Sequence, residues 1–324
     1  MTDRPSASWL WWIAAISAAT LALAYALGRI SGYPGRPTSK SVLIVTLTAV
    51  AVIALVRFLI YVARLWRRGE ESPMQAIRKD APVALAAFYP IPVAAFLLAV
   101  FFSAIAWLKS MIPAFVPFWA DAPLAATDRL LLPFALPRGR WLDVMALPYG
   151  LWQLINILGV VWALHTQRPA RPIIAYMLTW LIGMALAYAF SSAGPIFTGQ
   201  YPMRSAHVSV RMAADFLLDN YRFHGAGIGG GISAFPSLHV AIATWFALFL
   251  RSIGIRWLGE VFLLWIWAAS VILGWHYLLD GPAGIAVALI AWKLAGLSTL
   301  KRVSPQQQPL PGPAQPSTVS QPQS

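Results

Sequence analysis

Long apolar runs alternate with short polar segments along most of the chain. Each run has roughly the twenty residues that an α-helix needs to cross the hydrocarbon core of a bilayer. The pattern predicts an all-α fold, a polytopic membrane helix bundle with about eight transmembrane helices. The predicted spans cover residues 9–27, 41–62, 83–108, 142–164, 172–190, 235–250, 257–275 and 279–297. Pro90 and Pro92 predict a kink in the third span, which neighbouring helices can accommodate.

Composition and charge agree with a membrane protein. Of the 324 residues, 59% are hydrophobic and 11% are charged, which excludes an ordinary water-soluble globular domain. The net charge of +13 would suggest a nucleic-acid partner in a soluble protein. Here the basic residues lie in loops between apolar runs, where membrane orientation and anionic lipid headgroups explain them, so no nucleic-acid partner is expected. The absence of cysteine excludes disulfides and thiol nucleophiles.

The basic loop 63–82 determines the expected orientation. Positively charged short loops lie on the cytoplasmic side, and this loop contains Arg64, Arg67, Arg68, Arg78 and Lys79. Alternation of the spans then places the long loops 109–141 and 191–234 outside. The protein is therefore expected to be integral to the cell (cytoplasmic) membrane.

Three regions follow from the spans. Residues 1–82 are expected to form two N-terminal transmembrane helices and the basic cytoplasmic loop, and residues 83–302 a six-helix core. Residues 303–324 are rich in Pro and Gln and contain no charged side chain. That composition predicts a disordered tail.

Two histidines fall at the same end of consecutive spans. His239 lies near the start of the sixth span and His276 follows the end of the seventh, so a chain that crosses the membrane and returns brings both to one surface. Ionisable groups at such positions are costly unless they are paired or functional. Asp280 follows His276 by about one helical turn, so the two are expected to share a helix face. A carboxylate there would fix the imidazole tautomer and leave the other ring nitrogen free as a nucleophile.

The segment before His239 predicts an anion site. Pro236 favours the first turn of a helix. The following backbone N–H groups and the Ser237 hydroxyl would then be free to bind an anion at the helix N-terminus. From that position His239 could protonate a departing oxygen. The preceding Gly229-Gly230-Gly231 would allow close backbone approach.

These short motifs resemble those of the type 2 phosphatidic acid phosphatase superfamily. Pro236-Ser237-Leu238-His239 is similar to its second motif, and His276 with Asp280 is similar to the end of its third. The resemblance covers residues 142–297. Residues 231–235, which lead into the second motif, resemble the branch that contains inositol phosphorylceramide synthases. The resemblance implies that His276 attacks phosphorus to give a phosphohistidine, that Asp280 orients it, and that His239 acts as general acid and then as base. No metal or other cofactor is implied.

The chain departs from the superfamily in its phosphate cradle. Ser270 stands where the third motif usually has an arginine, and the first motif, a lysine with a later Arg-Pro, has no full match. In its place stands the segment 191–195, which resembles the Gly-Pro loop of the inositol phosphorylceramide synthase branch. The predicted phosphate-binding residues, with two arginines as candidates for the missing charge, are Ser237, Ser191, Ser192, Gly194, Arg204 and Arg211.

The sequence thus predicts a metal-independent phosphoric ester hydrolase or phosphotransferase. It would cleave a lipid phosphoester or pyrophosphate at the extracytoplasmic surface, with a lipid phosphate and the bilayer as its partners. One alternative is the transfer of phosphoinositol or a similar head group to a lipid alcohol. An alternative from another class is a transporter or structural membrane protein with a degenerate site. The oligomeric state stays open.

Overall fold

The computed structural model describes residues 9–33, 39–132, 140–199, 207–223 and 230–300. Within these ranges the chain is mostly helical and contains no β-strand, which confirms the predicted all-α membrane bundle. The predicted tail 303–324 lies outside the described residues. The helices are α1 (Trp9–Ser31), α2 (Ser39–Arg67), α3 (Pro73–Phe88), α4 (Pro90–Phe115), α5 (Asp121–Leu131), α6 (Arg140–Leu164), α7 (Ala170–Ala189), α8 (Val208–Arg222), α9 (Leu238–Ser252), α10 (Trp257–Ile272) and α11 (Asp280–Leu300).

Six of the described helices, α1, α2, α4, α6, α7 and α11, are long and apolar enough to cross a membrane. The sixth and seventh predicted spans correspond to α9 and α10, which are apolar but have only 15 and 16 residues. Non-helical backbone adjoins both helices, at 230–237 and 273–279. Such backbone is tolerated at membrane depth only where protein covers it, and most residues of both segments are buried.

The predicted third span is wrong at its start. Residues 83–88 belong to α3, Tyr89 forms a turn, and α4 begins at Pro90. A proline at the first helical position costs little, because the N–H that it lacks would have no helical partner there. Tyr89 itself keeps helical dihedral angles, with φ −56° and ψ −32°, so the interruption falls at Pro90 and Pro92, where the sequence predicts a kink. The two predicted long loops, 109–141 and 191–234, contain the C-terminal end of α4 and the short helices α5 and α8.

One continuous apolar core joins the membrane helices. On one side α1 and α2 pack against α4, and on the other α7, α9, α10 and α11 pack together, with α6 against α10 and α4 against α7. Small residues allow close approach between helices. A Cβ added at Gly284 of α11 would clash with the Ser237 carbonyl oxygen, and one at Gly259 of α10 would lie 2.5 Å from the Ala247 Cα.

Alternation of the helices brings one set of helix ends together. The C-terminal ends of α4, α7 and α10 meet the N-terminal ends of α6, α9 and α11. Backbone hydrogen bonds join the connecting segments: Ala120 donates to Ser191, Ala234 to Ser192, Ile196 to Gly274 and Ser237 to Asp280. This end of the bundle carries both candidate histidines.

Candidate active site

His276 lies in the non-helical segment between α10 and α11. The helix ends at Ile272, Gly274 follows with a φ of +78°, and the Ser270 carbonyl accepts from the N–H of both Trp275 and His276. A positive φ is open to glycine and ends a helix without a Cβ clash. The expectation that His276 and Asp280 share a helix face is therefore wrong in its geometry, because Asp280 is the first residue of α11.

The His276 ring is nevertheless held by two acceptors. Its Nδ1 lies 2.8 Å from the Ala234 carbonyl oxygen and 3.3 Å from Asp280 Oδ2. Because a carbonyl oxygen can only accept, Nδ1 carries the hydrogen, and the lone pair of the neutral ring is on Nε2. Asp280 is fully buried, and its Oδ2 also accepts from the Tyr277 N–H at 2.9 Å. The arrangement fixes one tautomer and leaves Nε2 available as a nucleophile.

His239 faces His276 from the first turn of α9. The two ring centroids are 5.6 Å apart. Tyr149 stacks on the His239 ring at 4.9 Å, Trp152 packs against it at 4.3 Å, and the Trp152 Nε1–H donates to the His239 carbonyl. Within the described part of the chain, no side chain or backbone group hydrogen-bonds the His239 ring. Aromatic packing orients the ring, and its nitrogens can exchange a proton with a group bound between the histidines.

Ser237 is the N-cap of α9. Its Oγ accepts from the Val240 N–H at 3.3 Å, and its side chain is fully buried. The expectation for Pro236 is wrong in register, since this proline precedes the cap and does not occupy the first turn. The cap uses one of the N–H groups that a helix start leaves open. A phosphate contact of the Ser237 hydroxyl stays a prediction.

The segment 191–195 lies beside the two histidines. Ser192 Oγ accepts from the Phe235 N–H at 2.8 Å, and Ser191 Oγ donates weakly to the Val116 carbonyl at 3.4 Å. Both serines are fully buried. They therefore hold the loops that frame the site. Phosphate binding by Ser191, Ser192 and Gly194 stays a prediction.

The structure describes one of the two arginines proposed for the cradle. Arg204 lies outside the described residues. Arg211 is exposed on α8, a helix whose Val210 and Ala214 pack near Leu273 at the end of α10. Its role also stays a prediction.

Two aspartates of α5 support the site and were not singled out from the sequence. Asp121 Oδ2 accepts from the Ala193 N–H at 2.8 Å, and its Oδ1 accepts from the Gly194 N–H and the Tyr277 hydroxyl, both at 2.9 Å. Asp128 Oδ1 accepts from the Leu278 N–H at 3.0 Å. Two turns separate these aspartates on one helix, a spacing that places both on one face.

Burial shifts the pKa of two of the groups that form these contacts. It raises the pKa of Tyr277, so the hydroxyl stays neutral and donates to Asp121. It also raises the pKa of Asp128, where the negative charge of Asp280 adds to the effect and the bond from the Leu278 N–H opposes it. In the described ranges, no cluster of three or more His, Asp or Glu side chains is arranged to hold a metal ion.

Comparison with known proteins bears on the same region. The family model described as PAP2 superfamily matches residues 137–294, a stretch that includes both histidines and Asp280 but neither α4 nor α5. No curated protein and no solved structure matches the chain significantly. The family match supports placing the chain in the type 2 phosphatidic acid phosphatase superfamily.

Proposed function

We propose that the protein is an integral membrane phosphatase or phosphotransferase that acts on a lipid phosphoester or pyrophosphate through a phosphohistidine at His276. The observation that carries this proposal is the pair of oxygen acceptors at Nδ1 of His276. Its Nδ1–H is held by the Ala234 carbonyl and Asp280, so Nε2 keeps its lone pair beside the ring of His239.

The first step forms the phosphoenzyme. Nε2 of His276 attacks phosphorus, and the bond from phosphorus to the leaving oxygen breaks. Protonated His239 donates its proton to that oxygen, so a neutral alcohol (or, from a pyrophosphate, a protonated lipid phosphate) departs. Asp280 stabilises the positive charge that develops on the ring of His276.

The second step releases the phosphate. Neutral His239 takes a proton from water, and the water oxygen attacks phosphorus. The bond to Nε2 then breaks, and its electron pair returns to the ring of His276. An alcohol in place of water gives a new phosphoester by the same path, so hydrolysis and transfer differ only in the acceptor.

Turnover on a substrate panel tests the proposal. Purified protein is incubated with lipid monophosphates, diphosphates and phosphoinositol lipids, with and without a lipid alcohol or free inositol as acceptor. Release of inorganic phosphate identifies hydrolysis, and a new phosphorylated lipid identifies transfer. Activity is expected to survive EDTA, because no step uses a metal. A folded protein without turnover on any member of the panel would favour a transporter or structural protein.

The expected side of action is extracytoplasmic, since the basic segment 63–82, which contains the end of α2 and the start of α3, is assigned to the cytoplasm. The chain has no cysteine of its own, so single cysteines report cleanly on sidedness. In intact cells, a membrane-impermeant thiol reagent should label Ala213→Cys on α8, near the site, and should not label Ser252→Cys at the opposite end. The reverse pattern would place the site in the cytoplasm.

A further inference from the structure

Lys109 is the one charged residue of α4 (Pro90–Phe115). It lies about 9 Å before the C-terminal end of the helix, at a rise of about 1.5 Å per residue. An ammonium group in an apolar membrane helix is costly unless it faces the protein interior and has a partner or a function. Its helix neighbours Leu108 and Ser110 are buried, and Lys109 itself is partly buried.

The surroundings of Lys109 connect it with the two histidines. The loop that leads into α9 crosses its backbone, because a Cβ added at Gly231 would lie 2.8 Å from the Lys109 carbonyl carbon. Among the described lysines and arginines, Lys109 is the one whose positive charge is close enough to His239 to affect that ring electrostatically. Lys109 therefore lies beside the loop that leads to Ser237 and His239, on a helix outside the family match.

The Lys109 ammonium has no anionic partner in the described ranges. None of the ion pairs there includes it, and it forms no hydrogen bond there. Two neutral hydroxyl groups near the histidines also lack a partner in the described ranges. The Tyr149 hydroxyl, on the ring that stacks against His239, and the Ser233 hydroxyl, next to the residue that holds His276, are buried with no partner within the described residues. Buried polar groups normally have partners, and phosphate oxygens could serve all three.

We infer that Lys109 binds the transferring phosphate and supplies the positive charge that the sequence assigned to Arg204 or Arg211. The inference rests on the proposed function. Lys109 contacts the phosphate oxygens through charge-assisted hydrogen bonds, both in the bound lipid and in the phosphohistidine. As phosphorus is attacked, the same ammonium stabilises the charge on its equatorial oxygens. Helix α4, which precedes the family match, therefore takes part in catalysis through Lys109.

Orthovanadate, an inorganic analogue of phosphate, provides a binding test that needs no turnover. Its dissociation constant is measured by calorimetry on detergent-purified wild type, Lys109→Met, Lys109→Arg and Lys293→Met. Lys293 is the matched control, a lysine exposed on α11. Lys109→Met should bind vanadate at least about tenfold more weakly, which is the effect of losing one charge-assisted hydrogen bond. Lys109→Arg should stay within about threefold of wild type, and Lys293→Met should be unchanged.

The outcomes separate this inference from the proposed function. Folded Lys109→Met that binds vanadate within twofold of wild type overturns the role of Lys109, even where wild type forms a phosphohistidine. If Lys109→Met does not fold, Lys109→Gln takes its place with the same expectation. An equal loss in Lys109→Arg and Lys109→Gln would mean that the shape of lysine matters and its charge does not, which also overturns the inference. Wild type that neither binds vanadate nor forms a phosphoprotein overturns the proposed function itself.

Discussion

Asp121→Ala removes the carboxylate that joins α5 to two segments of the candidate site. Asp121 is 9% exposed. Its oxygens accept from the N–H groups of Ala193 and Gly194 and from the hydroxyl of Tyr277, at 2.8 to 2.9 Å. Tyr277 is the neighbour of His276, so Asp121 helps to position the segment that carries the proposed nucleophile.

The expected loss of stability follows from these three bonds. A hydrogen bond to a charged group contributes about 1.5–3 kcal/mol, so a simple sum gives an upper bound of about 4.5–9 kcal/mol. Once α5 loosens, water can reach the freed N–H groups and recover part of that energy. We therefore expect Asp121→Ala to lower the free energy of unfolding by about 3–5 kcal/mol.

Unfolding in mixed detergent micelles, followed by far-UV circular dichroism, measures this loss. Asp80→Ala is the matched control, because Asp80 also accepts from a tyrosine hydroxyl, that of Tyr61 at 2.8 Å, but is exposed. Its effect should stay within about 0.5 kcal/mol. Tyr277→Phe should cost about 1–2 kcal/mol in the wild type and almost nothing in Asp121→Ala, since the bond is then already absent. A loss below about 1 kcal/mol for Asp121→Ala, or additive effects in the double variant, would refute the anchoring role of α5.

Three further predictions concern the same region. Asp280→Asn should lower kcat by about 10³–10⁴-fold, the order seen when a triad carboxylate no longer fixes its histidine; a loss below tenfold would contradict the orienting role. Gly194→Ala should destabilise the protein by about 2 kcal/mol or more, because φ is +104° and the new Cβ would lie 2.6 Å from the Trp275 carbonyl oxygen. Gly199→Ala, at a positive φ with open space around it, should cost about 1 kcal/mol in the same unfolding assay. Since the pKa of Asp128 is raised by burial, the native state holds a proton that the unfolded state releases, and stability should fall as pH rises from about 3.9 through the raised value; Asp128→Asn should flatten that part of the measured profile.

Hydropathy was sufficient to predict the helical membrane bundle, because bilayer thickness restricts each crossing to a narrow range of lengths. It predicted a kink at Pro90 and Pro92, but not that the apolar run is divided there into two helices. Prolines within an apolar run are compatible with a kinked membrane helix as well as with a new helix start. The short helices α5 and α8 were missed because neither is an apolar run of membrane-spanning length.

The sequence predicted that His239, His276 and Asp280 come together, but not the backbone conformation of the segment between α10 and α11. Spacing correctly suggested that His276 and Asp280 meet, yet the contact is made by a turn after Gly274 and not by a helix face. Local sequence patterns could not predict the contacts made by α5, since Asp121 and Tyr277 are 156 positions apart. Lys109 did carry a signal, as the single charge in an apolar helix, although its nearness to His239 depends on the fold.

Trapping the phosphoenzyme tests the central claim most directly. The protein is mixed with the radiolabelled form of the lipid phosphate that it turns over fastest, quenched in base and separated by electrophoresis. Wild type should carry an acid-labile, base-stable phosphate, and His276→Ala should carry none. His165→Ala changes a histidine at the opposite end of the bundle, where its Nδ1 contacts the Val161 carbonyl, and should label as wild type does. Persistent label on folded His276→Ala would contradict the account, as would wild type that turns over its substrate without ever becoming labelled.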